Sequence, residues 1–209
     1  MNLVEAAKSA NHCQRNWIDQ VVNDETISAL TEIAVNMPTK QNQNFYKLVV
    51  STDTDYNHFV YLNGYDKEHC LVKDLPFEDR HLSNRNTQLL APLLFQWVFS
   101  EEEFSNAVNT VDKSELKNGI GHLSVGISAG AVALAANALG LKTGFCSCLD
   151  MKNVTDKLSS IIGQQLDGTL LTLGIGYPRE DMPHNFCVRP DGKLAVQQIY
   201  NKNIEVYRI

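Results

Sequence analysis

The 209-residue chain has little positive charge, few cysteines and no long hydrophobic run. Eighteen basic against 24 acidic residues give a net charge of −6, which argues against a general nucleic-acid binder because such proteins need a basic surface. No apolar run approaches the roughly 20 residues of a membrane span, and the segment before Asn11 lacks the hydrophobic stretch of a secretory signal. We therefore expect a cytoplasmic protein that binds neither nucleic acid nor membrane.

The cysteines are odd in number and lack paired C-x-x-C spacing: Cys13, Cys70, Cys146, Cys148 and Cys187. This pattern predicts free thiols in a reducing compartment. Cys146 and Cys148 fit two positions on one side of a strand better than a metal or redox site, because no partners stand at zinc-ligand spacing. We predict no metal site. No cysteine has a catalytic motif around it, and a cysteine nucleophile stays open.

Several common site motifs are missing as well. The chain has no G-x-G-x-x-G, no P-loop, no G-x-S-x-G and no H-E-x-x-H, so these motifs support neither a Rossmann dinucleotide site nor a serine hydrolase or zinc-protease site. Gly174-Ile175-Gly176 lies late in a predicted strand, which indicates close packing there or close approach to a ligand. Internal repeats and low-complexity tracts are absent.

What the chain does have is a donor-rich loop at 39–44. Asn23 and the acids after it predict a helix start, apolar residues follow at helical spacing, and Pro38 predicts its end. The loop then offers one lysine, two asparagines, two glutamines and a threonine in succession. Such a loop between two packed elements is typical of a binding site, and its donors suit an anionic, partly aromatic ligand.

The rest of the chain alternates apolar and polar segments. We predict strands over Phe45–Ser51, from near Pro92 to Phe99 and over Leu170–Tyr177, and a short helix with loops in 52–81. A helix over Gly126–Leu139 would place Gly126, Gly130, Ala133 and Asn137 on one face and end at Gly140, which suits a core centre or a subunit interface. Residues 101–118 read as an acidic connection, and about 193–209 as a C-terminal arm.

Four segments together resemble the FMN-dependent nitroreductase family over nearly the whole chain. Asn11–Trp17 is similar to the family's R-R-S-x-R-x-F segment, and Pro38–Phe45 to its P-S-x-x-N-x-Q-P-W loop. Leu134–Gly144 resembles L-A-A-x-x-L-G-L-G-T, and Leu173–Pro178 resembles L-x-I-G-Y-P. Each likeness is weak alone, but the four stand in order at the family's spacing.

The resemblance implies an α+β fold: a three-layer sandwich with a mixed, mainly antiparallel sheet flanked by helices, in one FMN-binding domain over 1–209. It implies an intertwined homodimer with FMN at the interface, taking hydride from NADH or NADPH and passing it to a small oxidised acceptor such as a nitroaromatic or quinone. No dedicated catalytic residue is implied, because the flavin does the chemistry. The implied cofactor-binding residues are Asn11, His12, Cys13, Arg15, Asn84, Thr87, Gln88, Phe145, Ser147, Cys148 and Arg189 of one chain and Pro38, Thr39, Lys40 and Asn42 of its partner.

Some positions depart from the family's pattern. Asn11 replaces the first phosphate arginine and Cys13 the serine, which leaves Arg15 and Arg189 to grip the phosphate. Thr87 stands where a lysine often faces the flavin, so Arg15, Arg85 or Lys40 would take that part. Cys148 replaces a glycine or small residue beside flavin N5. Two rival functions therefore remain: a specialised family oxidoreductase acting on an azoline, enone or halogenated ring, and a non-catalytic flavin-binding dimer.

Overall fold

The computed structural model describes residues 1–39, 42–43, 46–64, 86–99, 119, 121–181, 183–184, 186–188, 194–196, 204–206 and 208. The helices in these ranges are α1 (Leu3–Ala10), α2 (Asp24–Asn36), α3 (Thr54–Leu62), α4 (Gly121–Ala138) and α5 (Met151–Ile162), with a 3-10 helix at Thr87–Leu90. The strands are β1 (Tyr46–Ser51), β2 (Leu93–Phe99), β3 (Lys142–Cys146), β4 (Gly168–Gly176), β5 (Phe186–Val188) and β6 (Leu194–Val196).

Four of these strands form one sheet in the order β1-β2-β4-β3, and β5 pairs with β6 in a separate two-stranded sheet. All of the described pairs are antiparallel. The register of β3 and β4 places Gly144 directly opposite Gly174. The predicted α+β class is confirmed, and the four-stranded sheet of the described residues is antiparallel throughout.

The core lies on both faces of this sheet. Leu93, Phe95 and Trp97 of β2 are fully buried in a cluster that includes residues of α2 and α4. Leu94 and Val98 point the other way, into a cluster with α3 and α5. This alternation follows from the two-residue period of a strand, and it makes β2 the centre of the fold.

Local sequence signals predict α2 well. The Asn23 side chain accepts a hydrogen bond from the Thr26 backbone N–H at 2.8 Å, as a helix N-cap should. The helix ends at Asn36, just before Pro38. The strand predictions near Pro92 and over Leu170–Tyr177 are also confirmed to within two residues at each end.

Helix α4 differs from its prediction in two ways. It begins earlier, at Gly121, and only part of the predicted small-residue face is covered. Ala133 and Asn137 are buried, whereas Gly126 and Gly130 are exposed and a Cβ built on either would meet nothing within 4 Å. By length and composition alone α4 also meets the criteria for a membrane-crossing helix, although it packs against α1, α2 and the sheet.

Candidate functional site

Backbone hydrogen bonds hold the segment after α1 against one end of the sheet. Gln14 donates its N–H to the Thr143 carbonyl at 2.9 Å, and Arg15 donates to the His184 carbonyl at 2.9 Å. Gln14 and Arg15 are both buried, at 3% and 5% exposure. The predicted cofactor segment Asn11–Arg15 is therefore fixed beside the start of β3.

Trp17 fixes the same segment to the 3-10 helix. Its indole Nε1–H donates to the Thr87 carbonyl at 3.0 Å, and its backbone forms an isolated bridge with Pro178. A Cβ on Gly176 would lie 3.2 Å from the indole. The aromatic residue that closes the first resembling segment thus joins three separate parts of the chain.

The 3-10 helix lies directly on two glycines of the sheet. A Cβ built on Gly174 would lie 2.1 Å from the Gln88 carbonyl oxygen, a distance that no real contact shows. A Cβ on Gly144 would lie 2.6 Å from the Gln88 Cβ and 2.5 Å from the Gln14 carbonyl oxygen. Of the two interpretations of Gly174, close packing against the protein's own backbone is what the structure shows.

The Gln88 side chain carries an unused acceptor at this point. Its Nε2–H donates to the Phe145 carbonyl at 3.2 Å, while its Oε1 is buried without a hydrogen-bond partner. Leaving a buried acceptor unpaired costs about 1–3 kcal/mol. Because this atom is buried, the side chain must turn before a ligand hydroxyl or imide N–H can remove that cost.

The end of β3 and the residues just after it contribute exposed residues near Gln88. Phe145 is 38% exposed and Ser147 is also exposed. Asn86, which the sequence reasoning missed, donates its Nδ2–H to the Cys148 carbonyl at 3.3 Å. Its only sequence signal is its position beside the predicted Thr87. The structure therefore brings Phe145, Cys148 and Gln88 together, as the resemblance implied.

Three free thiols lie in the same region: Cys13, Cys146 and Cys148. Burial is the main cause that raises the pKa of Cys13. The hydrogen bond with the Cys148 thiol, followed by burial, raises the pKa of Cys146 well above its usual value. Both of these thiols are protonated at neutral pH, which disfavours a thiolate nucleophile at either position because thiolate is the reactive form.

The donor-rich loop lies elsewhere within the single chain. Thr39 Oγ1–H donates to the Gln43 carbonyl at 2.6 Å, and Asn42 is exposed in the left-handed region at a φ of 57°. Asparagine tolerates this conformation better than most residues. Thr39 and Asn42 line a cavity of about 270 Å³ between α2 and β1. Cys13, Gln88 and Phe145 are not among the residues that line it.

Three predicted cofactor residues lie outside the described residues: Lys40, Asn84 and Arg189. Arg85, named as a substitute for the missing lysine, also lies outside them. Asn11, His12 and Pro38 are exposed, and Thr87 is fully buried. Their roles as cofactor contacts remain predictions.

A cavity of about 370 Å³ includes Arg15 in its lining. Trp17, Asn57 and Pro92 also line it, and Asn57 is 4% exposed with its Oδ1 unpaired. Arg15 is the single predicted cofactor residue in the lining. Arg15 therefore belongs to the N-terminal segment and also lines this cavity.

The sequence reasoning named His12 but missed the other basic side chains that lie with it on the far side of the N-terminal segment. His12 and His184 have ring centroids 4.7 Å apart, and Lys142 and Arg179 line the same cavity of about 270 Å³. Lys142 stands where the resembling L-G-L-G-T pattern has a glycine, which is the signal that sequence reading offered.

Comparison with solved structures places this fold among the nitroreductases. A BluB-like flavoprotein from Clostridium difficile 630 is 19% identical, with a TM-score of 0.63 over 88% of this chain and 93% of that one. A nitroreductase family protein from Clostridium novyi NT is 15% identical, with a TM-score of 0.63 over 88% and 90%. A nitroreductase with bound FMN from Desulfitobacterium hafniense DCB-2 is 16% identical, with a TM-score of 0.59 over 88% and 93%.

These identities establish the fold, and the chain has the nitroreductase fold. The sequence matches no protein-family model, and no curated protein matches it. The contacts described above are therefore what connects this fold to a function.

We predict that Gly174→Ala disturbs this site and destabilises the protein by about 1–3 kcal/mol or more, because the added methyl overlaps the Gln88 carbonyl and the backbone must move. Equilibrium denaturant unfolding measures the change. Gly119→Ala is the matched control: a Cβ there meets nothing within 4 Å, so stability should stay equal or rise by up to about 1 kcal/mol. A Gly174→Ala protein as stable as wild type would contradict the packing described.

Proposed function

We propose that the protein is an FMN-dependent oxidoreductase of the nitroreductase type. The observation that carries this proposal is the buried, unpaired Gln88 Oε1 of a side chain that bonds Phe145, next to the exposed residues Phe145 and Ser147, within a nitroreductase fold. The proposal includes one domain over residues 1–209, a three-layer sandwich and an intertwined homodimer. It also includes a cytoplasmic location.

The residues present fit FMN chemically. A flavin carries hydrogen-bond donors, namely its imide N–H and its ribityl hydroxyls. The Gln88 Oε1 is an acceptor that has no donor partner in the described structure. The residues that would hold the cofactor from one chain are Asn11, His12, Cys13, Arg15, Asn84, Thr87 and Gln88, with Arg189 at the phosphate. Phe145, Ser147 and Cys148 would cover one face of the ring, since Phe145 and Ser147 are exposed.

When bound, FMN supplies the hydride and electron transfer. The chain's own part is to orient the ring and leave one face open to NADH or NADPH and then to the acceptor. Cys13 and Cys146 stay neutral beside the ring because their pKa values are raised. No dedicated acid or base is needed among these residues, and a small nitroaromatic or quinone is the proposed acceptor.

The dimer is supported by an apolar face that one chain leaves open. On α4, Leu123 is 63% and Ile127 40% exposed, beside the exposed Gly126 and Gly130. On the adjoining α1, Leu3 is 71% exposed. A face this apolar and this rich in small residues suits close packing against a second copy, because glycine lets backbones approach.

The dimer also explains the loop at 38–43. In one chain Thr39 and Asn42 lie apart from the Gln88 group, so a cofactor site that uses both needs two chains. We propose that Pro38, Thr39, Lys40 and Asn42 complete the flavin site of the partner.

We expect the purified protein to bind one FMN per chain and its flavin absorbance to bleach on anaerobic addition of NADH or NADPH. Reoxidation by a nitroaromatic or a quinone should restore the absorbance. A chain that neither carries nor takes up FMN would contradict the proposal. Flavin binding without bleaching by either nicotinamide would instead favour the non-catalytic dimer, and bleaching with selective reoxidation by an enone or azoline would favour the specialised oxidoreductase.

We predict that wild type sediments at twice the chain mass of 23.4 kDa and that Gly130→Leu shifts it toward the monomer. Within one chain a Cβ at Gly130 meets nothing within 4 Å and the position is exposed, and leucine favours the helix by about 0.5–1 kcal/mol over glycine, so the fold should persist. Analytical ultracentrifugation with circular dichroism separates the two effects. Ser160→Leu, on the exposed side of α5, is the matched control and should stay dimeric. A monomeric wild type, or a fully dimeric Gly130→Leu protein, would refute the interface.

A further inference from the structure

The cavity beside the His12–His184 ring pair, of about 270 Å³, lies where the end of α1 meets the start of β3 and the loop after β4. Its lining is formed by Ser9, His12, Gln14, Lys142, Pro178, Arg179 and His184. Four of these side chains are cationic or become so on protonation, and none is a carboxylate. This concentration of positive charge is notable in a chain of net charge −6.

Lys142 is held in place by neutral partners. Its Nζ donates to Ser9 Oγ, whose hydroxyl donates to Asn137 Oδ1 at 2.6 Å. The Asn137 amide in turn donates to Thr143 Oγ1 at 3.0 Å and is fully buried. This chain of hydrogen bonds orients the ammonium group without neutralising it. In the described part of the chain no carboxylate forms an ion pair with Lys142.

Positive charges around the cavity repel one another. The His12 and His184 rings lie 4.7 Å apart at an angle of 46°. Burial first, and then the charges of His12 and Lys142, lower the pKa of His184. Arg179 differs from the other three because Asp181 balances its charge. Such an arrangement is unfavourable when empty and becomes favourable when an anion enters.

We propose that this cavity binds the dianionic phosphate of a phosphate monoester or free phosphate, held by Lys142, His12 and His184. A phosphate carries about 1.5–2 negative charges near neutral pH and accepts several hydrogen bonds at once, so it suits the Lys142 ammonium and the two imidazole rings that line the same cavity better than a carboxylate does. Lys142 and His184 belong to none of the predicted cofactor contacts. The proposal rests on the proposed function in one respect, because the phosphate of FMN is one of its two sources.

The sequence gives this assignment a reason. Asn11 stands where the resembling phosphate segment has an arginine, and Lys142 stands where the resembling L-G-L-G-T segment has a glycine. The structure brings Lys142 to the end of α1, since its Nζ contacts Ser9 across 133 positions of sequence. Lys142 of β3 therefore supplies a positive charge in place of the arginine that is absent at position 11.

The test uses the full-length protein freed of flavin and three probes measured by calorimetry: FMN, riboflavin, which lacks the phosphate, and inorganic phosphate. Wild type should bind FMN about tenfold or more tightly than riboflavin, and phosphate should compete with FMN without affecting riboflavin. Lys142→Met should lose about tenfold in affinity for FMN and for phosphate while its affinity for riboflavin stays within about twofold.

Conservative and matched variants complete the design. Lys142→Arg keeps the charge and should retain FMN affinity within about threefold. His184→Gln should lose part of the FMN preference over riboflavin. Lys152→Met removes the same charge from an exposed position on α5, where the lysine side chain is 82% exposed, and should change nothing. Circular dichroism of each variant separates loss of binding from loss of fold.

The proposal would be overturned by equal loss of FMN and riboflavin affinity in Lys142→Met, or by a wild type that binds FMN no better than riboflavin and does not bind phosphate. If phosphate binds with dependence on Lys142 but neither flavin does, the anion site stands and the proposed function fails. If FMN binds and bleaches with nicotinamide while Lys142→Met keeps the full FMN preference, the proposed function stands and this site is refuted.

Discussion

The close approach of the 3-10 helix to two cross-strand glycines is the contact on which the rest of the site depends. Gly144 and Gly174 face each other in β3 and β4, and both lack the Cβ that would collide with Gln88. Because the helix lies this low on the sheet, the Gln88 amide reaches the Phe145 carbonyl. The same contact leaves room for the Gln14 backbone along Thr143. Three segments distant in sequence thereby share one small volume.

The chemistry of this volume is one of placement and charge rather than of proton transfer. Cys13 and Cys146 are neutral thiols, and Gln88 presents an unpaired acceptor. The positive charge lies to one side, around Lys142 and the His12–His184 pair. A cofactor with an uncharged, hydrogen-bonding ring and an anionic end would meet complementary groups at both ends. This division of labour is expected when the cofactor carries the reaction and the protein sets its position and electrostatics.

Local signals predicted the parts of the fold that local physics determines. Asn23 and Pro38 delimit α2, and the apolar runs after Pro92 and before Pro178 form β2 and β4. Helices α1 and α5 were missed, although Asn2 and Glu5 form a complete capping box at the start of α1.

The long-range contacts could not be predicted from the sequence. The pairing of Gly144 with Gly174 and the contact of Lys142 with Ser9 join residues far apart in the chain. Likewise, the small-residue face of α4 was read correctly as a face, but which half α1 would cover depends on tertiary packing. The grouping of Gln88 with Phe145 and Cys13 agrees with what the resemblance implied, while the contacts across two chains stay predictions.

A crystal structure of the protein grown with FMN tests the account most directly. We expect the isoalloxazine ring beside Gln88 and Phe145–Cys148 of one chain, with residues 38–42 of a second chain against it; FMN bound elsewhere, or held by one chain alone, would contradict it.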